Sequence, residues 1–428
     1  MSNTRVSRTA AGLVGSEILK IASDVRVMVA QGTTVCNLTV GDFSSVEFPI
    51  PEFLEQQIVA ALAAGETNYP PSDGVLRLRN AVIEFYERTV GLRYPLESVL
   101  VTGGSRPGIY STYRALVDPG DAVVYPVPSW NNNHYTYLVG ARGVPVLCEA
   151  KDAFLPTRRL LEPAVRGARL LALNSPLNPC GTAFSEESLA EICDLVLEEN
   201  DRRGEGERPL FVLYDQVYWT LTFGATRHVH PEMLRPEMAR YTVTIDGISK
   251  AFAATGVRVG WTTGPADVTA RMAAIVGHVG AWAPRAEQVA TAALLESPAT
   301  IDAYHLAMKA GVQRRLDALY AGVTSLSERG YPIEAIPPMG AIYLSVRFGL
   351  HGRRTSDGAT LASDEDIRRY LLETAGVAIV PFSAFGMEGD MGWFRLSVGA
   401  VSVEEIESAF GRLEAAIGAL VEEGALEG

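Results

Sequence analysis

The stretch "GISKAFAATGVRVG", residues 247–260, decides how the rest of the chain is read. A single lysine, Lys250, stands among Ala251, Ala253, Ala254 and Gly256, and Arg258 follows closely. An ammonium in such apolar company is poorly solvated, which lowers its pKa and makes the amine a nucleophile able to form a Schiff base. The small neighbours leave room for a flat group. Ser249 adds a hydroxyl and Arg258 a permanent planar cation, the donors that an anion needs. The competing reading is a lysine that snorkels to water beside a surface arginine.

Working outward, short β-rich apolar runs alternate with helical periods: residues 98–102, 122–125, 144–147, 169–174, 210–214, 241–246 and 259–263. This rhythm predicts an α/β protein with a mostly parallel central sheet covered by helices. "SEESLAEICDLVLEEN" is one such helix, with Ser185 as N-cap, two glutamates in the first turn, and Leu189, Ile192, Val196 and Leu197 as its apolar stripe. Two hydrophilic stretches, 198–209 and 351–366, read as exposed loops. After Pro298 a long helical stretch to about 328, a helix near 364–375 and a closing helix from about 403 predict a smaller α+β domain. The expected division is a large domain of residues 50–298 and a small domain of residues 1–49 with 299–428.

Ligands of open α/β sheets bind beyond the carboxyl ends of the strands. Five consecutive strand exits deliver Gly103 and Gly104, Trp130, Asn178, Asp215 and Lys250 to one edge. The turn Gly103, Gly104, Ser105 offers backbone N–H groups at a helix start, a natural phosphate cradle. A Schiff-base lysine beside a phosphate cradle points to pyridoxal 5'-phosphate, with no metal site.

The motifs then become specific. "SKAFAATGVRVG" is similar to the lysine signature of fold-type I pyridoxal-phosphate aminotransferases of class I/II, the aspartate aminotransferase family. "YPPSDGVLRLR" (69–79), "NSPLNPCG" (174–181), "DQVY" (215–218) and "FRLSVG" (394–399) resemble the family's other motifs, in the same order. The resemblance spans nearly the whole chain. It implies a transaminase moving an amino group from an L-amino acid, aspartate-like, to a 2-oxo acid such as 2-oxoglutarate. It also implies residue roles: Lys250 carries the cofactor and shuttles the proton, Asp215 pairs with the pyridine nitrogen, Asn178 and Tyr218 hydrogen-bond the ring's 3′-oxygen, and Trp130 stacks on the ring. Gly103, Gly104, Ser105, Ser249 and Arg258 would hold the phosphate, and Arg395, with the Gly41 backbone and Asn178, the substrate carboxylate. Tyr69 would reach the neighbouring subunit's cofactor, which makes a homodimer the expected unit. The family often has Ser-x-Ser-Lys, whereas this chain reads Gly247, Ile248, Ser249, Lys250, with Gly247 in place of the first serine, so Ser105 or Arg106 is the candidate to replace the lost phosphate contact. The interval between Asn178 and Asp215 is lengthened by the charged 198–209 segment, read as a surface insertion.

Composition narrows the partners. With a formal charge of -13 and no basic run, nucleic acid and anionic membranes are disfavoured and small solutes favoured. The 47% hydrophobic content supports a large core. Cys36, Cys148, Cys180 and Cys193 have no CxxC spacing and read as buried thiols. No signal peptide or long apolar span is evident, so a cytoplasmic protein is expected. Side-chain recognition stays open among His278, Arg285 and Arg106. The same cofactor machinery also serves C–S β-lyases and decarboxylases, and related domains serve as regulatory sensors, although some 40 residues before "VGDF" leave too little chain for a DNA-binding domain.

Overall fold

In the computed structural model, which describes residues 5–15 and 17–421, a two-residue strand β1 (Cys36–Asn37) precedes the main sheet. That sheet contains β2 (Val99–Thr102), β3 (Ala122–Val127), β4 (Arg142–Leu147), β5 (Ala168–Asn174), β6 (Phe211–Asp215), β7 (Thr242–Gly247) and β8 (Gly260–Thr263). Their order is β2-β8-β7-β6-β5-β3-β4. All neighbours from β7 through β4 pair in parallel, while β8 runs antiparallel to both β7 and β2. This reversal matters for the site. Chain leaving β7 and chain entering β8 occur at the same edge, so Lys250 and Arg258, on the connection between them, meet there.

The strands read as continuous apolar runs because both faces are covered. β2, β3 and β8 are buried along their whole length, whereas the edge strand β4 is largely exposed. Helix Glu186–Arg203 starts where expected: Ser185 accepts from the Ser188 N–H and Ser188 returns the bond, a capping box. Its Leu189, Ile192 and Val196 pack with Leu171, Leu173 and Val212 of the sheet. Each such buried aliphatic side chain stabilises the fold by about 2 kcal/mol.

A second sheet holds β9 (Ile333–Ala335), β10 (Tyr343–Phe348), β12 (Val380–Pro381) and β13 (Trp393–Ser397), antiparallel, in the order β12-β13-β10-β9. β11 (Val377–Ala378) pairs in parallel with β1, which joins the N-terminal segment to this sheet's surroundings. Helices Pro298–Glu328, Asp364–Ala375 and Val403–Gly418 cover it. Register places Tyr343 opposite Ser397 and Ser345 opposite Arg395. All four cysteines are buried and unpaired. No helix among the described residues is long and apolar enough to cross a membrane.

The expectation of an exposed loop at 198–209 is corrected. Residues 198–203 complete the helix that begins at Glu186, and Glu199, Asn200 and Arg203 are buried. Polar composition misled because these side chains serve as internal brackets. Arg203 donates to Glu199 (2.8 Å) and to the carbonyls of Ala168 (2.8 Å), Val165 (3.2 Å) and Arg208 (2.9 Å). Asn200 exchanges two bonds with the Leu210 backbone, at 2.7 and 3.0 Å, setting the entry into β6. Removing Arg203 strips its donors from the carbonyls of Val165, Ala168 and Arg208 and one of two arginine partners from the buried Glu199, which keeps Arg202 at 2.9 Å. Arg203→Ala is therefore expected to lower the unfolding free energy by about 3 kcal/mol, measured by urea denaturation, while Arg347→Ala, in an exposed pair with Glu334, changes it by less than about 1 kcal/mol.

Candidate active site

Five strand exits and one strand entrance converge as the topology requires. Lys250 lies in a single helical turn, Ile248–Ala251, directly after β7. Its ammonium donates to the Gly41 carbonyl at 2.7 Å, and the Phe43 and Tyr218 rings each lie 5.8 Å away. Among the described residues no carboxylate comes within ion-pair distance. Burial pulls the amine down to about 8, Asp42 opposes this, and the cations Arg395, Arg106 and Arg258 reinforce it. The result is an amine that is partly neutral under mildly alkaline conditions.

Arg258 approaches from the other side. It adopts a positive φ of 65°, and its guanidinium donates to the Gly103 carbonyl (3.0 Å) and the Thr255 carbonyl (2.6 Å). It too has no carboxylate partner among the described residues. Gly104, at φ 88°, is the N-cap of helix Ser105–Leu116, and a Cβ there would fall 2.2 Å from the Arg258 guanidinium. Glycine is required at that contact by both conformation and space. The free N–H groups of the helix start and this cation form a cup for an anion. Ser249 is buried beside it, and the Ser105 hydroxyl makes a long 3.4 Å bond to the Asp246 carbonyl.

Asp215 ends β6. One carboxylate oxygen accepts from the Val217 N–H at 3.1 Å, and the other has no protein partner among the described residues. Loss of hydration raises this carboxyl to about 6, against the Val217 bond and the Lys250 charge. Asn174 ties this strand end to the next turn, donating to the Asp215 carbonyl and accepting from the Asn178 N–H, both at 2.8 Å.

Arg395, on β13, is buried at 2% exposure. It donates to Asn178 Oδ1 (3.2 Å) and the Thr39 carbonyl (2.6 Å), while its buried Nε has no partner. The rings of Tyr343 and Phe385 each lie 4.8 Å from its Cζ. Gly41 leaves the approach open: a Cβ there would sit 3.1 Å from Tyr343 Oη and 3.4 Å from Arg395 Nη1. A buried guanidinium with an unused donor and no counter-ion is a receptor for a carboxylate.

Arg106, in the first turn of helix Ser105–Leu116, lies with its Cζ 4.7 Å from the Trp130 ring and has no ion-pair partner among the described residues. Tyr69 behaves differently. It is 84% exposed, its ring edge against Trp282 at 5.5 Å, in a surface groove with Glu66 and Arg285. That groove adjoins the cup, since the Trp282 loop packs on Gly103 and the Ala281 carbonyl accepts its N–H at 2.9 Å. Arg285 is ion-paired to Glu66 and His278 is exposed in the last turn of helix Ala266–Val279, so neither converges on Lys250 within the chain. Sequence reading missed Tyr343, Thr39, Asp42 and Asn174. Asn174 heads the quoted "NSPLNPCG" turn and was available from it; Tyr343 depends on pairing between distant strands.

A buried lysine, a carboxylate with a spare oxygen and a separate anion cup define a site for a cofactor that forms a Schiff base. Comparison with known proteins agrees. The family model for aminotransferases of class I and II matches residues 33–413. An aspartate aminotransferase of Rhizobium meliloti (strain 1021) is 31% identical over 404 residues, covering 94% of this chain and 93% of its own. The solved aspartate aminotransferase from Rhizobium meliloti superposes with a TM-score of 0.88 at 30% identity, over 97% of this chain and 100% of that one. The aspartate aminotransferase from Thermus thermophilus solved with maleate gives 0.84 at 28%, over 96% and 99%. The chain belongs to the class I and II aminotransferases and is a pyridoxal-phosphate-dependent transaminase of fold type I.

The residues fit that cofactor: the unpaired Arg258 and the Gly104 cradle match its phosphate, and the spare Asp215 oxygen matches its ring nitrogen. Capture of the aldehyde requires the neutral amine. Lys250 is mostly protonated below about pH 8 and mostly neutral above it. The rate at which apoenzyme binds pyridoxal phosphate covalently, followed by stopped-flow absorbance, is therefore expected to rise with pH through about 8 and then level off.

Proposed function

We propose that this transaminase moves the amino group of an acidic L-amino acid, L-aspartate foremost, to 2-oxoglutarate, working as a homodimer in the cytoplasm. The observation that carries the reading is the pair of arginines without counter-ions. Arg395 is buried with an unused Nε, and Arg106 lies over Trp130 on the first turn behind the glycine pair. Two such cations suit a substrate with two carboxylates, the α-carboxylate on Arg395 and the distal one on Arg106. The Thermus thermophilus aspartate aminotransferase, solved with the dicarboxylate maleate, supports the same chemistry by analogy.

When bound, pyridoxal phosphate supplies an electrophilic aldehyde carbon and a ring that accepts the electrons released at the substrate Cα. Each residue then has a role in this reading. Lys250 would hold the group covalently, and its Nζ would accept the proton from the substrate Cα. Asp215 keeps a proton on the ring nitrogen, Asn178 and Tyr218 donate to the ring oxygen, and Trp130 covers one face. Ser105, Ser249, Arg258 and the free N–H groups of the helix start would hold the phosphate, while Gly103 and Gly104, whose own N–H groups donate to the Ala281 and Thr102 carbonyls, would shape the turn that receives it. Arg395, Asn178 and the Gly41 backbone fix the α-carboxylate. Tyr69 projects from the exposed groove toward a second copy, whose phosphate cup it completes. The reading includes two units, residues 50–298 and residues 1–49 with 299–428, with the substrate between them.

Steady-state assays of aspartate, alanine and aromatic amino acids against 2-oxoglutarate test the proposal. Aspartate is expected to lead. Arg106→Gln is expected to lower kcat/KM for aspartate by about tenfold to a hundredfold, the loss of one charge-assisted contact, and to leave alanine nearly unchanged. Equal turnover of all donors, or equal loss on all of them, contradicts it.

A further inference from the structure

Tyr343 is a fully buried phenol that touches both halves of the site. It is 0% exposed, its Oη lies 2.5 Å from Tyr218 Oη, and its ring lies under the Arg395 guanidinium at 4.8 Å. The two phenols meet edge to face, with centroids 5.5 Å apart. Their relative placement is set by backbone bonds between the segments that carry them: Ala341 N–H to the Leu221 carbonyl at 2.8 Å and Phe223 N–H to the Met339 carbonyl at 3.0 Å. On the far side Gly41 is held to a glycine's size by Tyr343 Oη itself.

Neither hydroxyl has another hydrogen-bond partner among the described residues, so one proton lies between the oxygens and the other is left for a ligand. The Arg395 cation decides which. Sitting on the Tyr343 ring, it withdraws electron density and makes that phenol the better acid of the two, and therefore the donor within the pair. Burial raises both phenols and the Arg395 charge opposes this at each, while their mutual contact raises Tyr218 and lowers Tyr343, in keeping with an Arg395 guanidinium that lies over the Tyr343 ring.

We infer that Tyr343 is a positioning residue acting through Tyr218: it donates its proton to the Tyr218 oxygen, frees the Tyr218 proton for the cofactor's ring oxygen and strengthens that donation, while its ring supports Arg395. The inference rests on the proposed contact between Tyr218 and the ring oxygen. A stronger donor at that oxygen stabilises its anionic form, and this lowers the pKa of the neighbouring Schiff base on Lys250.

The test is a spectrophotometric pH titration of the holoenzyme Schiff base in wild type, Tyr343→Phe, Tyr218→Phe and the double variant, with KM for 2-oxoglutarate measured alongside. Tyr343→Phe keeps the ring under Arg395, so KM is expected to stay within about twofold while the Schiff-base pKa rises by about half a unit. Tyr218→Phe is expected to raise it further, and the double variant to match Tyr218→Phe alone, because Tyr343 acts only through that oxygen. Tyr343→Leu, which removes the ring, should raise KM. A shift in Tyr218→Phe with none in Tyr343→Phe overturns the inference and leaves the Tyr218 assignment standing; no shift in either overturns both.

Discussion

The structure depends on one hydrogen bond that is weaker than the charge it serves. The Lys250 ammonium has a single backbone acceptor, the Gly41 carbonyl, and no carboxylate within ion-pair distance among the described residues. A salt bridge would hold the amine protonated and inert. A neutral carbonyl satisfies one donor and leaves the amine ready to exchange it for a covalent bond. Three arginines around the site push in the same direction, and each has its own reason for being there. The cations that prepare anion sites also depress the nucleophile's pKa, so recognition and activation come from one charge distribution.

The fold supplies this arrangement through the direction of its strands. Parallel strands bring their carboxyl ends to one edge, and the antiparallel β8 returns Arg258 to that edge within a few residues of Lys250. The second sheet then contributes from across the site, with Arg395 on β13 and Tyr343 on β10. Gly41 and Thr39, from the segment after β1, lie between the two and touch Lys250 and Arg395 respectively. Three separated parts of the chain are thus needed to make one carboxylate receptor beside one amine.

Much of this was legible in the residues. The apolar runs matched the strands of the main sheet closely, because strands covered on both faces announce themselves as uninterrupted β-rich segments. The lysine and its cradle were legible because a charged side chain walled in by small residues loses its hydration for no gain unless a ligand fills the space beside it. Two kinds of feature escaped. Charged composition at 198–209 concealed the end of a helix, since Arg203 pairs with Glu199 and Asn200 with the Leu210 backbone inside the protein. The contacts of Tyr343 depend on register between strands roughly fifty residues apart, on which local pattern is silent. His278 and Arg285 looked like candidates from their proximity in sequence to the site; an ion pair with Glu66 and an exposed helix end keep them from converging on it within one chain.

The central claim is that Lys250, among the chain's four lysines, carries the cofactor. Borohydride reduction of the holoenzyme followed by peptide mass spectrometry tests it directly. A phosphopyridoxyl group is expected on Lys250 alone, with Lys20, Lys151 and Lys309 unmodified. Stoichiometric label on any of those three, or a fully loaded enzyme in which Lys250 stays free, would contradict it.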